Sequence, residues 1–278
     1  MTLPLRPPGV LETQRLRINH LLSKILRSVV GYQQHQVVIC GFPRSGTSLL
    51  LNMMASSLPS FRHDTFESYV IHRIHRIGDF ITKAPMDVFN VRHLDRLNGN
   101  VKRLAIIVMI RDVRDVITSR HPLLPDEYFI GHDHSWWPQD RHFKQWRFDA
   151  PGVMAIFDEI ERIRNRADVA LVRYEDLVLD ADVVQESLGV RFSLPFNGRF
   201  SEYHLSSVEP AYRYEGRFLA KDKSLVQEGS PVNDTRVARW RRQPELWSRV
   251  REQFMACDRL FEVLATYGYE SSRDWIDE

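Results

Sequence analysis

Hydrophobic positions along this chain recur with two periods, and the alternation between those periods predicts the architecture. Val37-Val38-Ile39-Cys40 is a short apolar run ending in a Gly/Pro-containing loop, after which Leu50, Met53, Met54 and Ser57-Leu58 fall on one helical face. This pattern reads as strand, tight loop, helix. Leu104 to Ile110 is apolar on both faces of an extended chain, as befits a central parallel strand covered by helices on each side. Val169-Ala170-Leu171-Val172 repeats that signal behind a helix that aligns Val153, Ile156, Phe157, Ile160 and Ile163. The strand–helix–strand alternation therefore predicts an α/β fold, with a doubly wound, mostly parallel sheet, helices on both faces and ligands at the carboxyl ends of the strands.

The flanks extend this pattern. Ile18, Leu21, Leu22, Ile25 and Val29 recur at helical spacing, so an amphipathic helix from about Glu12 to Val30 is expected to pack on the main domain. Residues 1–35 are thus read as an added helix and 36–278 as the domain proper. Leu246, Val250, Phe254, Cys257, Phe261 and Leu264 form one stripe that predicts a long last helix stopping at Gly268. The loops 121–149 and 196–232 show no period, and irregular segments of that length in a compact domain suggest lids over acceptor or nucleotide.

Composition narrows the function. A chain of 278 residues, 43% hydrophobic and 27% charged, suits one large soluble domain. Its net charge of +2 is too small to argue for nucleic acid or an anionic membrane, so any anion must be held by a local cluster of cations. The two cysteines, Cys40 and Cys257, lie in apolar patterns and read as core thiols, which favours a reducing compartment. With no long apolar run near Met1, the expectation is a cytoplasmic protein without a membrane span. The oligomeric state is not legible.

Gly41-Phe42-Pro43-Arg44-Ser45-Gly46-Thr47-Ser48 stands between strand and helix, where backbone N–H groups and a helix N-terminus form an anion site. The glycine spacing is that of a nucleotide-triphosphate loop, yet Thr47 replaces its lysine and the nearest cation is Arg44. Arg111 closes the long apolar strand, Asp112 is placed to cap the next helix, and Ser119 follows eight positions after Arg111. An arginine there offers a planar fork to phosphate, and the hydroxyl can close the same site.

These two segments resemble the PAPS-dependent sulfotransferases (class 2.8.2), which bind 3′-phosphoadenosine 5′-phosphosulfate (PAPS). The likeness implies a P-loop-like sulfotransferase fold, with Arg44, Ser45, Gly46, Thr47 and Ser48 at the 5′-phosphosulfate and Arg111 and Ser119 at the 3′-phosphate. Thr82-Lys83-Ala84-Pro85 is similar to the family segment that sets a lysine, here Lys83, by the transferring group. Tyr174 in Tyr174-Glu175-Asp176 matches a tyrosine beside the adenine, and Pro231-Val232-Asn233 with Arg239 resembles the loop folding over the nucleotide.

The family's cytosolic phenol and steroid branch carries an Arg-Lys-Gly triplet and a histidine segment, both absent here, so the tyrosylprotein, carbohydrate and bacterial branches are the nearer ones. Their catalytic glutamate maps to Glu67, with Asp64, His63 and His72 open as alternative bases. The resemblance implies transfer of a sulfuryl group to a hydroxyl or amine of a carbohydrate or other small acceptor, release of adenosine 3′,5′-bisphosphate and no need for a metal. The rivals are a P-loop kinase or NTPase and a catalytically inactive nucleotide-binding module. Acceptor identity stays open, although His132, His134, Trp136, Trp137 and Trp146 suit a cleft lined with flat faces.

Overall fold

In the computed structural model, which describes residues 18, 21–25, 28–29, 31–64, 67–119, 129–136, 150–205 and 234–276, eight strands build two sheets. They are β1 (His35–Gly41), β2 (Arg62–His63), β3 (Phe80–Lys83), β4 (Arg103–Ile110), β5 (Phe129–Ile130), β6 (His134–Trp136), β7 (Ala150–Pro151) and β8 (Val169–Arg173). The main sheet has the order β2-β3-β1-β4-β8, and all its pairings are parallel. The helices are α1 (Thr47–Ser57), α2 (Leu94–Asn98), α3 (Val113–Ile117), α4 (Val153–Ile163), α5 (Tyr174–Leu179), α6 (Ala181–Phe192), α7 (Arg239–Arg242), α8 (Trp247–Ala256) and α9 (Arg259–Thr266).

The alternation of side chains along each strand sorts the core into two layers. Val37, Ile39, Ala105, Ile107, Met109 and Val172 face α1 and α6, where Leu50, Met53, Leu188 and Phe192 meet them. Val38, Cys40, Ile106, Val108 and Ile110 face the other way, against Ile156, Phe157 and Ile160 of α4 and against Val250, Phe254, Leu260 and Val263 of α8 and α9. Covering both faces is what makes β1 and β4 near-continuous apolar runs rather than alternating ones.

Four expectations change in detail. The middle of the sheet is β1, while β4, although longer, lies between β1 and β8. The last helix is two helices, because Cys257 adopts an extended conformation (φ −144°, ψ 97°) and the turn restarts with Leu260 N–H donating to the Cys257 carbonyl. The break rotates α9 so that Leu260, Val263 and Leu264 reach the core, and Cys257 is only half-buried. Within 121–149, β5 and β6 pair and continue onto β7 as a small antiparallel sheet, two- and three-residue strands too short for periodicity to reveal. In 196–232 the described part holds a 3₁₀ turn at Phe200–Leu205.

Near the amino end, residues 21–25 are helical, but Leu21, Leu22 and Ile25, expected to pack on the domain, are exposed. Ser23 is the buried residue there, and its Oγ donates to Gln34 Oε1 at 3.5 Å. Among the described residues no helix is long and apolar enough to cross a membrane.

Candidate active site

The turn after β1 is shaped by close backbone approach. A Cβ on Gly41 (φ +121°) would stand 2.2 Å from the Met109 carbonyl oxygen, and Phe42 N–H donates to that same oxygen at 3.0 Å. The chain then passes through positive φ twice, at Arg44 (+62°) and at Gly46 (+88°). A Cβ on Gly46 would lie 2.5 Å from the Tyr174 ring, so only glycine fits there. Arg44 holds its conformation at a cost of about 1–3 kcal/mol, a strain that persists where the surroundings over-determine it and that marks functional loops. The buried Ser45 hydroxyl donates to the Phe42 carbonyl at 2.5 Å, which braces the turn from inside. Thr47 then opens α1, whose first N–H groups have no partner within the helix.

Groups from neighbouring strand ends converge on this turn. Arg44 Nε donates to Ser119 Oγ at 3.0 Å. Arg111, one residue past β4, donates through Nη1 to the Arg44 carbonyl at 3.0 Å and through Nη2 to the Arg236 carbonyl. Its Nη2 also lies 3.3 Å from Asp115 Oδ2, and its guanidinium stacks 4.3 Å from the centre of the Tyr174 ring at the end of β8. The remaining donor, Arg111 Nε, is buried and has no hydrogen-bond partner among the described residues.

Beneath this cluster Asp112 caps α3 as the sequence predicts, accepting from Arg114 N–H. Glu175 ties the β4 and β8 ends together by accepting from Asp112 N–H at 3.1 Å and from the Tyr269 hydroxyl at 2.7 Å. Arg114 lies between the rings of Trp240 and Trp275, at 4.2 and 4.7 Å from their centres, and Trp240 N–H donates to Asp115 Oδ1 at 3.1 Å.

On the other side of the turn, Lys83 ends β3 and is 2% exposed. Its Nζ donates to Glu67 Oε1 at 2.9 Å, and the Glu67 side chain is half exposed. Burial pushes the Lys83 ammonium below its ordinary value, the Glu67 carboxylate opposes that shift, and the Arg44 charge adds to it. Backbone contact fixes the pair, since Ser68 N–H donates to the Lys83 carbonyl at 3.1 Å. Of the alternative bases, Asp64 is engaged by Arg73 at 2.6 Å. His63 is held below its usual range by burial, and His72 is exposed.

Sequence reasoning missed Asp87, for which only its place shortly after Lys83 was available as a signal. Its carboxylate is fully buried and accepts from Val70 N–H and from Asn90 Nδ2, both at 2.8 Å. It thereby joins the segment carrying Glu67 to the turn after β3. Burial raises its carboxyl to about 7. The folded protein therefore binds a proton here that the unfolded chain has released, between the ordinary carboxylate range and pH 7. Stability from this group falls as pH rises through that window. Acidification from pH 8 to pH 5 should accordingly raise the melting temperature of the wild type relative to that of Asp87→Asn, and parallel curves would remove Asp87 as the cause.

Arg236 was also missed. It is the arginine of its segment that reaches the cluster, through its carbonyl on Arg111 and through its charge on Tyr174. Arg239 instead donates to Gln243 Oε1 at 2.8 Å. Ser48 is partly buried in the first turn of α1. His132 approaches Gln253 Oε1 at 2.9 Å with both its backbone N and Nδ1, a packing contact with α8. Trp137, Trp146 and Pro231-Val232-Asn233 lie outside the described residues, as does the Trp136 side chain. Among the described residues no group of three or more His, Cys, Asp or Glu side chains is placed to hold a metal ion.

The arrangement offers positive charge and hydroxyls around a strand-to-helix turn, with one carboxylate at the edge. A family model for the sulfotransferase domain matches residues 34–191, more than half of the chain and the span from β1 into α6. The chain belongs to the sulfotransferase family. No curated protein matches it. The matched span of this sulfotransferase contains Arg44, Glu67, Lys83, Arg111, Ser119 and Tyr174, whereas Arg236, Trp240 and Trp275 come from beyond it.

Proposed function

We propose that this sulfotransferase moves the sulfuryl group of PAPS to a hydroxyl or amine of a carbohydrate or other small acceptor, with adenosine 3′,5′-bisphosphate as the second product. The observation that carries the reading is the meeting of Arg44, Lys83, Arg111 and Tyr174 at four adjacent strand ends, with Ser119 on Arg44 and Glu67 on Lys83. The residues fit such a donor. The buried Arg111 Nε, without a hydrogen-bond partner among the described residues, and the glycine-only approach of the turn to Tyr174 leave a donor and a close backbone surface for an anionic group. Arg44, Gly46, Thr47 and Ser48 would hold the 5′ side, Arg111, Ser119 and Arg236 the 3′-phosphate, and Tyr174 the adenine. Two free thiols support a reducing, cytoplasmic setting.

The donor supplies an activated sulfur, whose bond to the bridging phosphate oxygen breaks as the bond to the acceptor atom forms. Glu67 accepts the acceptor's proton. Lys83, held against Glu67, fixes that carboxylate and lends positive charge where the leaving oxygen gains negative charge, and Arg44 does the same from the turn. Preorganised cations in a partly dry site are strong contributors to such transfers.

Nucleotide-dependent melting tests the reading. Adenosine 3′,5′-bisphosphate at a hundred times its Kd should stabilise the protein by about 2.7 kcal/mol without magnesium, while ATP with magnesium should leave the melting temperature nearly unchanged. Arg111→Ala should weaken bisphosphate binding by about 2 kcal/mol or more, since a charge-assisted phosphate contact is lost. Adenosine 5′-phosphosulfate, which lacks the 3′-phosphate, should scarcely respond to that substitution. Stabilisation by ATP with magnesium alone would replace this reading with that of a phosphotransferase.

A further inference from the structure

The helical segment at the amino end turns its apolar side away from the domain. Ile18, Leu21, Leu22, Ile25 and Val29 are 58%, 60%, 42%, 47% and 77% exposed. At 100° per residue they share one face, and Ser23, the buried residue that touches Gln34, falls about 140° from it. Among the described residues nothing covers these five branched aliphatic side chains, which lie close to the amino ends of the main-sheet strands.

Charge is unevenly distributed around the same place. Lys24 on the helical segment is exposed, and so are Arg62 at β2, Arg76, and Arg103 at the start of β4. Gln34 links them to the helix: its carbonyl accepts from Arg103 N–H at 2.8 Å and its side chain from Gly78 N–H at 2.8 Å. Arg62 and Arg76 flank the Phe80 ring at 4.7 and 5.9 Å. Of the acids at this end, Asp79 is engaged by Tyr32 and His35, Asp64 by Arg73, and Asp95 and Asp168 by Arg166. In the sequence, residues 1–31 hold Arg6, Arg15, Arg17, Lys24 and Arg27 against the single acid Glu12.

An apolar helical face bordered by cations has the chemistry of an interfacial helix, which buries its aliphatic side in the acyl boundary while Lys and Arg meet anionic headgroups. We infer that the amino end of this domain docks on an anionic lipid surface, with the face Ile18, Leu21, Leu22, Ile25 and Val29 inserted and Lys24, Arg62, Arg76 and Arg103 over the headgroups.

A second copy of the chain is the competing occupant, because Leu179, Val183 and Val190 form another exposed apolar row beside Asp180, Asp182 and Glu186. The cations, however, come from the helical segment and three separate segments of the domain, an arrangement that meets a broad anionic plane rather than one helix. The docking end is opposite the carboxyl ends of the strands, so the candidate active site stays open to solution. The inference is independent of which reaction that site performs.

Sedimentation of the full chain with vesicles tests it. The protein should bind vesicles of equal phosphatidylcholine and phosphatidylglycerol, bind phosphatidylcholine vesicles about tenfold less or weaker still, and release as salt rises. Leu21→Asp with Ile25→Asp should abolish binding, and Lys24→Ser with Arg103→Ser should weaken it roughly tenfold or more. All four positions are exposed, and an unchanged melting temperature would confirm that the variants fold. Absence of wild-type binding, or equal binding by the double-Asp variant, overturns the proposal. Conversion of a wild-type dimer into a monomer by Leu21→Asp with Ile25→Asp, without vesicle binding, overturns it too and assigns the face to a second copy.

Discussion

Glu67→Gln should lower sulfuryl-transfer turnover by about 10² to 10⁴ while leaving adenosine 3′,5′-bisphosphate affinity nearly unchanged. The substitution keeps the shape of the side chain and its reach to Lys83 Nζ, 2.9 Å away in the wild type, but removes the capacity to accept a proton. Asp64 supplies the control. Its carboxylate is engaged by Arg73, and these contacts hold it below the ordinary range although burial would raise it, so Asp64→Asn should keep most of the activity. The opposite pattern, with Asp64→Asn inactive and Glu67→Gln active, would move the proton acceptor to Asp64.

Arg44→Ala should reduce turnover by about a hundredfold to a thousandfold, the scale seen when one preorganised donor to developing charge is removed. Arg44 and alanine share the positive-φ penalty at this position, so the fold should change little and the loss should appear in turnover. Ser119→Ala, which deletes the hydroxyl that accepts from Arg44 Nε at 3.0 Å, should have a smaller effect of the same sign by loosening the guanidinium. Single-turnover rates with saturating donor would separate the two, since a pure binding role for Arg44 predicts normal chemistry once the site is filled.

Much of this was legible in the sequence because long elements carry strong periodicity. β1 and β4, with seven and eight residues, carry the unbroken apolar runs Val37–Cys40 and Leu104–Ile110, and α4 keeps five aliphatic or aromatic residues on one face, so tertiary packing and local pattern agree. The turn around Arg44 was readable because the close approaches at Gly41 and Gly46 admit only glycine, and Arg111 stood out because it closes a long apolar strand. What escaped was carried by shorter or longer-range features. β2 and β3 have two and four residues, too few for a period to show. Asp87 looked like any surface acid until tertiary burial gave it Val70 N–H and Asn90 as partners. Arg236 enters through its backbone carbonyl, which no side-chain pattern encodes, whereas Arg239 was singled out by the resemblance of its segment to a family loop, which does not say which arginine of the segment reaches the cluster. The break at Cys257 was hidden because Phe261 continues the stripe even though the helix does not.

Lys83, the Arg44 turn, Arg111 and Tyr174 follow β3, β1, β4 and β8, four strands that lie side by side in that order. Their separation is therefore set by the pitch of the sheet, about 4.8 Å per step and about 14 Å from first to last, and not by the loops. A ruler of this kind fixes where charges and flat groups must lie along any ligand that spans the row. It also polarises the site. The β8 end, with Tyr174, is specified by interior packing, whereas the β3 end opens onto Glu67 and the segment around His63 and His72. Substitution at the β3 edge can therefore proceed without disturbing the spacing of Arg44, Arg111 and Tyr174.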